Sequence, residues 1–532
     1  MKLRNVAPLT GVLLGAALSM AGHAEAATAS ARPPSCASMV GRTIPGSAMK
    51  ILKSEAVPAA PAGTTPTGRG PERLGVALPA YCRVEGMIGG HTGADGKPYG
   101  LTVAIALPEG WNGRFLMQGG GGLNGTLRPP LGAEATGGRP ALSRGFAVVS
   151  TDGGHQAAGF DGSFMADQQA ALDFVYNAVP TVASTAKLVV AAYYGRPITR
   201  SYFAGCSTGG RESMEAAERY PGMFDGIITG SPAMRTGNSN LALKWAAVAF
   251  NRIAPKDAAG KPVISGAFSP DDRRTIIDGV LKACDELDGL KDGMIFNVRA
   301  CRFEPAALRC AGAKAAGCLD QGQVDALRTA FSGPVSASGR RIYSAYPFDT
   351  GIAVEGGGIP GFLLNSTAGP VASPEPPLTM DVEREEAEAV YSATQQLTDT
   401  YNWTNLNSFT AHGGKQLFYA GVSDPWFSAL ALVDYYERLG RDNGGAAKTL
   451  DFARLFLVPG MGHCGGGPAT LDQFDLLSPL VDWVEQGKAP QSVVATGPSL
   501  PGRSRPLCAW PEHAHYKGQG EGNDAANFEC RP

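Results

Sequence analysis

From residue 115 onward the chain alternates short, unbroken apolar runs with longer amphipathic stretches. Phe115-Leu116-Met117-Gln118 runs into four glycines at 119–122, and Phe146-Ala147-Val148-Val149-Ser150 runs into Thr151-Asp152-Gly153-Gly154. Continuous apolar runs ending in glycine are what buried parallel strands look like, since both faces of such a sheet are covered. Helical patterning follows at 168–176 and 182–194. A strand at 201–204 then precedes Gly205-Cys206-Ser207-Thr208-Gly209-Gly210, a helix at 211–220 and a further strand at 227–230. Strand and helix in alternation predict a parallel α/β sheet with crossover connections. After Ser231-Pro232 the rhythm stops for about 170 residues of helical patches, clustered cysteines and Gly/Pro-rich segments. It resumes with a strand at 415–421, another at 454–459 and a helix around 480–486. Residues 27–110, rich in Pro, Ala and Gly, read as an irregular entry with a few strands. The expected organisation is therefore a leader at 1–26, a sheet domain formed by 27–231 and 405–532, and an inserted unit at 232–404. No internal repeat is evident.

Composition narrows the function. Lys+Arg 46 against Asp+Glu 48 leaves a net charge of −2, with no basic run to follow a phosphate backbone, so nucleic acid is not an expected partner. Glycine accounts for 71 of 532 residues, well above the usual share, and with no G-x-y period this points to tight turns and ordered loops. Lys2 and Arg4, the apolar stretch 6–21 and Ala24-Glu25-Ala26 have the three parts of a cleavable export signal. That apolar run is short for a membrane span and contains Pro8, Thr10 and Ser19. The mature chain is expected in the periplasm or outside the cell, free of the membrane once the signal is removed. Ten cysteines, at 36, 82, 206, 284, 301, 310, 318, 464, 508 and 530, suit an oxidising compartment, and no C-x-x-C pair suggests zinc. Sequence proximity favours Cys284–Cys301, Cys310–Cys318 and Cys508–Cys530; spacing leaves Cys36, Cys82, Cys206 and Cys464 undecided.

Gly205-Cys206-Ser207-Thr208-Gly209 has the G-x-S-x-G form of a nucleophile elbow, a weak pattern in so glycine-rich a chain. Its setting between a strand and a helix gives it meaning, because the sharp turn would expose Ser207 at the carboxyl edge of the sheet. A serine hydroxyl needs a base. Of seven histidines, His463 alone follows a late strand in a glycine-rich loop downstream of the serine. The acid should follow a strand between them, where Asp424 stands before Pro425. The order Ser207, Asp424, His463 is that of α/β-hydrolases. Two N–H groups must face the developing oxyanion; the backbone of Thr208 and a glycine of 119–122, with Gly121 preferred, are the candidates. Cys206 precedes the serine and Cys464 follows the histidine, so a bond between them would hold nucleophile and base loops a few ångströms apart.

On these residues, with Gly230-Ser231-Pro232-Ala233, Ser423-Asp424-Pro425-Trp426 and Gly462-His463-Cys464, the chain resembles the tannase and feruloyl esterase family, which includes the bacterial MHETases. The resemblance covers essentially the whole mature chain. It implies an α/β-hydrolase core with a large inserted lid domain, and five disulfides pairing Cys36–Cys82, Cys206–Cys464, Cys284–Cys301, Cys310–Cys318 and Cys508–Cys530. It also implies a secreted serine esterase acting on small-molecule esters of aromatic acids, such as feruloyl, galloyl or chlorogenate esters, with no organic cofactor. Phe427 and, within the apolar segment 359–364, Phe362 are candidates to stack on the substrate ring. MHETases hold the terephthalate carboxylate with a lid arginine; the insert here offers Arg384, set in the acidic run 381–386.

The segment 285–295 spaces three aspartates among turn-forming glycines, the kind of oxygen-rich turn that suits Ca²⁺, although it lacks EF-hand spacing. Likeness to the family implies a structural calcium site in the lid, with the carboxylates of Asp285, Asp288 and Asp292 and the carbonyls of Leu290 and Met294 as ligands. Other readings are an MHETase-like terephthalate monoester hydrolase, a hydroxyalkanoate oligomer hydrolase, and a catalytically silent binding protein on a hydrolase scaffold.

Overall fold

The computed structural model describes residues 34–64, 74–353, 358–365 and 375–532; the leader expected at 1–26 lies outside them. Nine strands form the central sheet: β1 (Lys50–Val57), β2 (Tyr81–Thr92), β3 (Pro98–Pro108), β4 (Arg114–Gln118), β5 (Ala147–Thr151), β6 (Arg200–Cys206), β7 (Gly226–Gly230), β8 (Lys415–Gly421) and β9 (Ala453–Val458). Their order is β1-β2-β3-β5-β4-β6-β7-β8-β9. From β5 across to β9 every neighbouring pair is parallel, whereas β1, β2 and β3 join antiparallel.

The parallel strands are apolar on both faces because each face meets its own core. Phe115, Met117, Phe203, Ile227, Phe418 and Leu455 point into one cluster. Leu116, Tyr202, Ala204, Ile228, Leu417, Tyr419 and Phe456 point into the other. This is the period-two alternation of a strand expressed with apolar residues at every position. β2 differs: from Tyr81 to Ile88 it alternates half-buried and buried residues, as an antiparallel strand with one wet face should. The entry region is thus a long antiparallel extension of the sheet, more regular than the Pro- and Gly-rich composition suggested.

The two helical stretches expected at 168–176 and 182–194 are one helix, Gln168–Tyr194, with a π turn at Asp173–Asn177. The buried Arg211 donates from Nη2 to the carbonyl of Phe174 in that turn at 3.2 Å, taking up an oxygen displaced from the regular ladder.

Between β7 and β8 the chain leaves the sheet. Helices Thr236–Asn251, Pro270–Cys284, Gln321–Ser332 and Val382–Val390 fill this connection. Two of them open on reciprocal capping boxes, Ser269 with Asp272 and Asp320 with Gln323. Phe250, Ile276, Leu327 and Phe331 of the connection belong to the same buried cluster as Phe203 and Phe418 of the sheet. Disulfides link Cys36–Cys82, Cys206–Cys464, Cys284–Cys301, Cys310–Cys318 and Cys508–Cys530, the pairing that the family resemblance implied.

Candidate active site

β6 ends at Cys206, and helix Thr208–Arg219 begins one residue past Ser207. Ser207 itself has φ 62° and ψ −122°, a left-handed conformation costly for a residue with a Cβ. Surrounding bonds hold it there: its N–H donates to Gly230 O at 3.1 Å, and its carbonyl accepts from Arg211 and Ala233, each at 3.0 Å. The elbow glycines serve packing. A Cβ on Gly209 would lie 2.8 Å from the carbonyl oxygen of Gly120, so the helix could not approach the 119–122 loop as it does.

Asp424 follows β8, and His463 follows β9. Asp424 has a fully buried side chain, and its Oδ2 lies 2.8 Å from His463 Nδ1. Oδ1 accepts from the N–H groups of Trp426 at 2.9 Å and Phe427 at 3.0 Å. Holding the Nδ1 proton this way leaves Nε2 as the basic nitrogen. Burial pulls the His463 imidazole down, but the charge and hydrogen bond of Asp424, with Glu134 beyond it, carry it above its usual value. Glu134 in turn accepts a hydrogen bond from Tyr419 Oη on β8.

The Cys206–Cys464 bridge sets the Cα atoms of these two residues 6.0 Å apart. Serine and histidine, each adjacent to a bridged cysteine, are thereby tethered, and Sγ of Cys464 lies 3.8 Å from His463 Nε2.

The glycine loop has a defined set of N–H partners. Gly119 donates to Ala204 O at 2.9 Å, and Gly120 donates to Glu212 Oε2 at 2.9 Å. Among the described residues the N–H groups of Gly121 and Thr208 have no acceptor, which leaves both available to an oxyanion. Glu212, 3% exposed, also accepts from Asn124 Nδ2 at 2.8 Å, so one carboxylate grips the loop at two points. The guanidinium of Arg128 lies over the same loop: a Cβ on Gly121 would meet its Cζ at 3.0 Å. Among the described residues this guanidinium has no hydrogen-bond or ion-pair partner.

Aromatic rings wall the site. Phe427 presents an edge to the His463 ring with centroids 5.2 Å apart, and Trp426 stands 5.7 Å from the same ring. Trp426 and Phe427 stack at 5.3 Å, and the exposed Phe160 reaches Trp426 at 5.5 Å. Phe160 also covers Gly122. The candidate Phe362 does not join this wall: at 4% exposure it packs edge-on to Phe250, with Arg273 over its ring. It is a core position, because an apolar segment of the insert had a hydrophobic cluster to fill. Arg384 is likewise taken up elsewhere, ion-paired with Asp381, Glu385 and Glu388.

The aspartates of 285–292 share one turn. Asp285 Oδ1 accepts from the N–H of Asp292 at 3.2 Å and of Gly293 at 3.0 Å. Asp288 accepts from Leu290 and from Phe296, both at 3.2 Å. Asp292 accepts from Met294 N–H at 3.1 Å and pairs with the buried Arg505. Burial pushes Asp288 up to about 7, with the charges of Asp292 and Asp285 adding to the shift. Among the described residues no three His, Cys, Asp or Glu side chains form a ready-made metal cage.

Sequence reasoning did not find Glu212, Glu134, Arg128, Phe160 or Trp426. Glu212 had a signal, one helical turn beyond the elbow serine, and Trp426 stood in the Ser423-Asp424-Pro425-Trp426 motif; the others carry none.

Comparison with known proteins agrees with the geometry. The sequence profile described as "Tannase and feruloyl esterase" matches residues 82–531. The chain is 39% identical to the mono(2-hydroxyethyl) terephthalate hydrolase of Piscinibacter sakaiensis, over 85% of each protein. It is 30% identical to a probable feruloyl esterase B-2 of Aspergillus terreus, over 81% of this chain and 83% of that one. Its fold matches the crystal structure of feruloyl esterase B from Aspergillus oryzae with a TM-score of 0.74 at 24% identity, covering 93% of this chain and 99% of that chain. For the tannin acyl hydrolase of Aspergillus niger the TM-score is 0.68 at 21% identity, covering 93% and 94%. An α/β-hydrolase sheet, a serine on a strained elbow, an Asp–His pair beside it and a match across most of the chain give one conclusion: the protein belongs to the tannase and feruloyl esterase family and is a carboxylic ester hydrolase.

Proposed function

We propose that the protein is an exported serine esterase that cleaves esters of aromatic acids through an acyl-enzyme. In this reading Ser207 attacks the ester carbonyl as His463 Nε2 takes its proton, and Asp424 holds the imidazole in the required tautomer. The N–H groups of Gly121 and Thr208 receive the oxyanion. His463 then protonates the departing alcohol and activates the water that releases the acid. The observation that carries the aromatic preference is the ring wall of Trp426, Phe427 and Phe160 beside His463. Five disulfides and the signal-like first 26 residues support export. The insert between β7 and β8 is read as the lid.

A second reading has one specific support. The guanidinium of Arg128 over Gly121, without a partner among the described residues, suits a carboxylate carried by the substrate, as in a terephthalate monoester. A hydrolysis panel of methyl ferulate, methyl gallate, chlorogenate, mono(2-hydroxyethyl) terephthalate and a hydroxybutyrate dimer tests both, with Ser207→Ala and Trp426→Ala alongside. Aromatic turnover abolished in Ser207→Ala, with a roughly tenfold higher KM in Trp426→Ala for a lost aromatic contact, is the expected result. Cleavage of the hydroxybutyrate dimer alone would overturn the aromatic assignment.

We also propose a structural Ca²⁺ held by the carboxylates of Asp285, Asp288 and Asp292 and the carbonyls of Leu290 and Met294. Crowding of three partly buried acids on one turn supports it, since a cation would reverse the upward push on Asp288. A melting temperature that falls with EDTA and recovers with Ca²⁺ is expected; no response would remove the site.

A further inference from the structure

One carboxylate of the insert reaches both catalytic loops. Asp349, 2% exposed, accepts through a single oxygen, Oδ2, from Ser423 Oγ at 2.7 Å and from the N–H of Gly460 at 2.7 Å. Ser423 immediately precedes Asp424, and Gly460 stands three residues before His463. Among the described residues the other oxygen of Asp349 has no hydrogen-bond partner. The N–H of Gly351 returns a bond to Ser423 Oγ at 3.0 Å, so the hydroxyl is held from two sides by one short segment of the insert. The same stretch continues along the acid loop: Ser428 Oγ donates to Ala345 O at 2.5 Å, the N–H of Ser428 donates to Tyr343 Oη at 3.2 Å, and Tyr346 Oη donates to Trp426 O at 3.2 Å. The loop bearing the catalytic acid is thus stitched to the insert at several points, and at Asp349 the stitch extends to the loop bearing the base.

We propose that Asp349 is a positioning residue for the Asp424–His463 pair, joining the insert to both loops so that carboxylate and imidazole stay in register. The inference rests on reading Asp424 and His463 as the acid–base pair. Asp349 touches neither the substrate nor the reacting atoms; it acts through Ser423 and Gly460. Burial alone does not account for the arrangement, because one buried oxygen serving two donors on two different catalytic loops fixes their relative position.

Three variants and one soluble aromatic ester test it. Asp349→Ala leaves the Ser423 hydroxyl and the Gly460 N–H without their acceptor and lets the two loops drift. For a displacement approaching an ångström the expected loss in kcat is about 10- to 100-fold with KM nearly constant. The acid limb of the kcat/KM profile should also move to lower pH, because His463 loses part of the support of Asp424. Asp349→Asn can put its carbonyl oxygen where Oδ2 stands and its amide where the partnerless oxygen stands, so it should recover most of the lost kcat. Ser423→Ala removes one of the two arms and should fall between; with Asp349→Asn it carries the test if Asp349→Ala does not fold. A folded Asp349→Ala with wild-type kcat and an unmoved acid limb would overturn the proposal, as would equal damage in the alanine and asparagine variants. Residual turnover in a Ser207→Ala control would instead indict the catalytic reading itself, which keeps the two failures distinct.

Discussion

Replacing Glu212 with glutamine tests how the oxyanion loop is held. In the native protein both carboxylate oxygens are used, Oε2 by the N–H of Gly120 at 2.9 Å and Oε1 by Asn124 Nδ2 at 2.8 Å. Glutamine keeps the shape but offers one acceptor and turns its amide hydrogens toward the second donor. The change removes one charge-assisted bond, about 1.5–3 kcal/mol, and leaves a buried donor unmet at about 1–3 kcal/mol. A total of about 2.5–6 kcal/mol is a large part of the roughly 5–15 kcal/mol that keeps a domain folded. Because Gly120 adjoins Gly121, the candidate donor, kcat should fall as well. Removing an oxyanion donor outright costs about 10²–10³-fold in kcat, and a displaced donor should cost part of that, about 10- to 100-fold. Thermal melting and steady-state kinetics on a soluble p-nitrophenyl ester are the assays, with Glu212→Asp as a second variant. A lower melting temperature with native kcat would refute the oxyanion role and leave Glu212 as a structural clasp. No change in either would mean that the loop is held by other contacts.

The titration of the base carries a definite sign. Asp424 holds the His463 imidazole above its usual value despite burial; with the neutral imidazole as the base of the proposed mechanism, activity should rise as pH climbs through that raised value. Asp424→Asn should therefore shift the acid limb of kcat/KM to lower pH while kcat drops by about 10⁴-fold, the loss known for the corresponding change in a serine-protease triad; a limb that stays in place would show that Asp424 does not set it. Replacing Cys206 and Cys464 together with serine should cost about 2–5 kcal/mol of stability and lower kcat, measured by melting and turnover, and native values for both would mean that the tether is dispensable.

Legibility followed the physics of burial. Strands β4 to β9 were evident because both faces are covered, so their apolar runs are unbroken. Ser207, Asp424 and His463 stood out as candidates because each sits just past a strand. The antiparallel entry was underrated, since one wet face dilutes the apolar signal in β2 and glycines interrupt it. The helix Gln168–Tyr194 was divided because Asn177 and Pro180 look like a break, whereas Asn177 closes the π turn and Pro180 sits in the first turn of the α-helical stretch that follows it. The helix Ala429–Asp442 starts only under a Ser428 cap, because the carboxylate of Asp424 takes the N–H groups of Trp426 and Phe427 for a turn of its own. Phe362 was misread because aromatic character alone does not separate a site wall from a core. Glu212 and Asp349 act through the third dimension, joining segments 92 and 111 residues apart; the place of Glu212 one turn past the elbow hinted at a role, but no local pattern encodes either partner.

The Cys206–Cys464 bond closes a covalent ring of chain that contains Ser207, Asp424, His463 and the whole insert, with a sequence separation of 258. A peptide bond cut anywhere between them opens the ring without releasing either piece. On the export proposed above the enzyme would meet proteases, and exposed loops of an insert are where they cut. A nick there would leave two chains on a reducing gel and one on a non-reducing gel. Serine and histidine would remain covalently joined through the cysteines beside them.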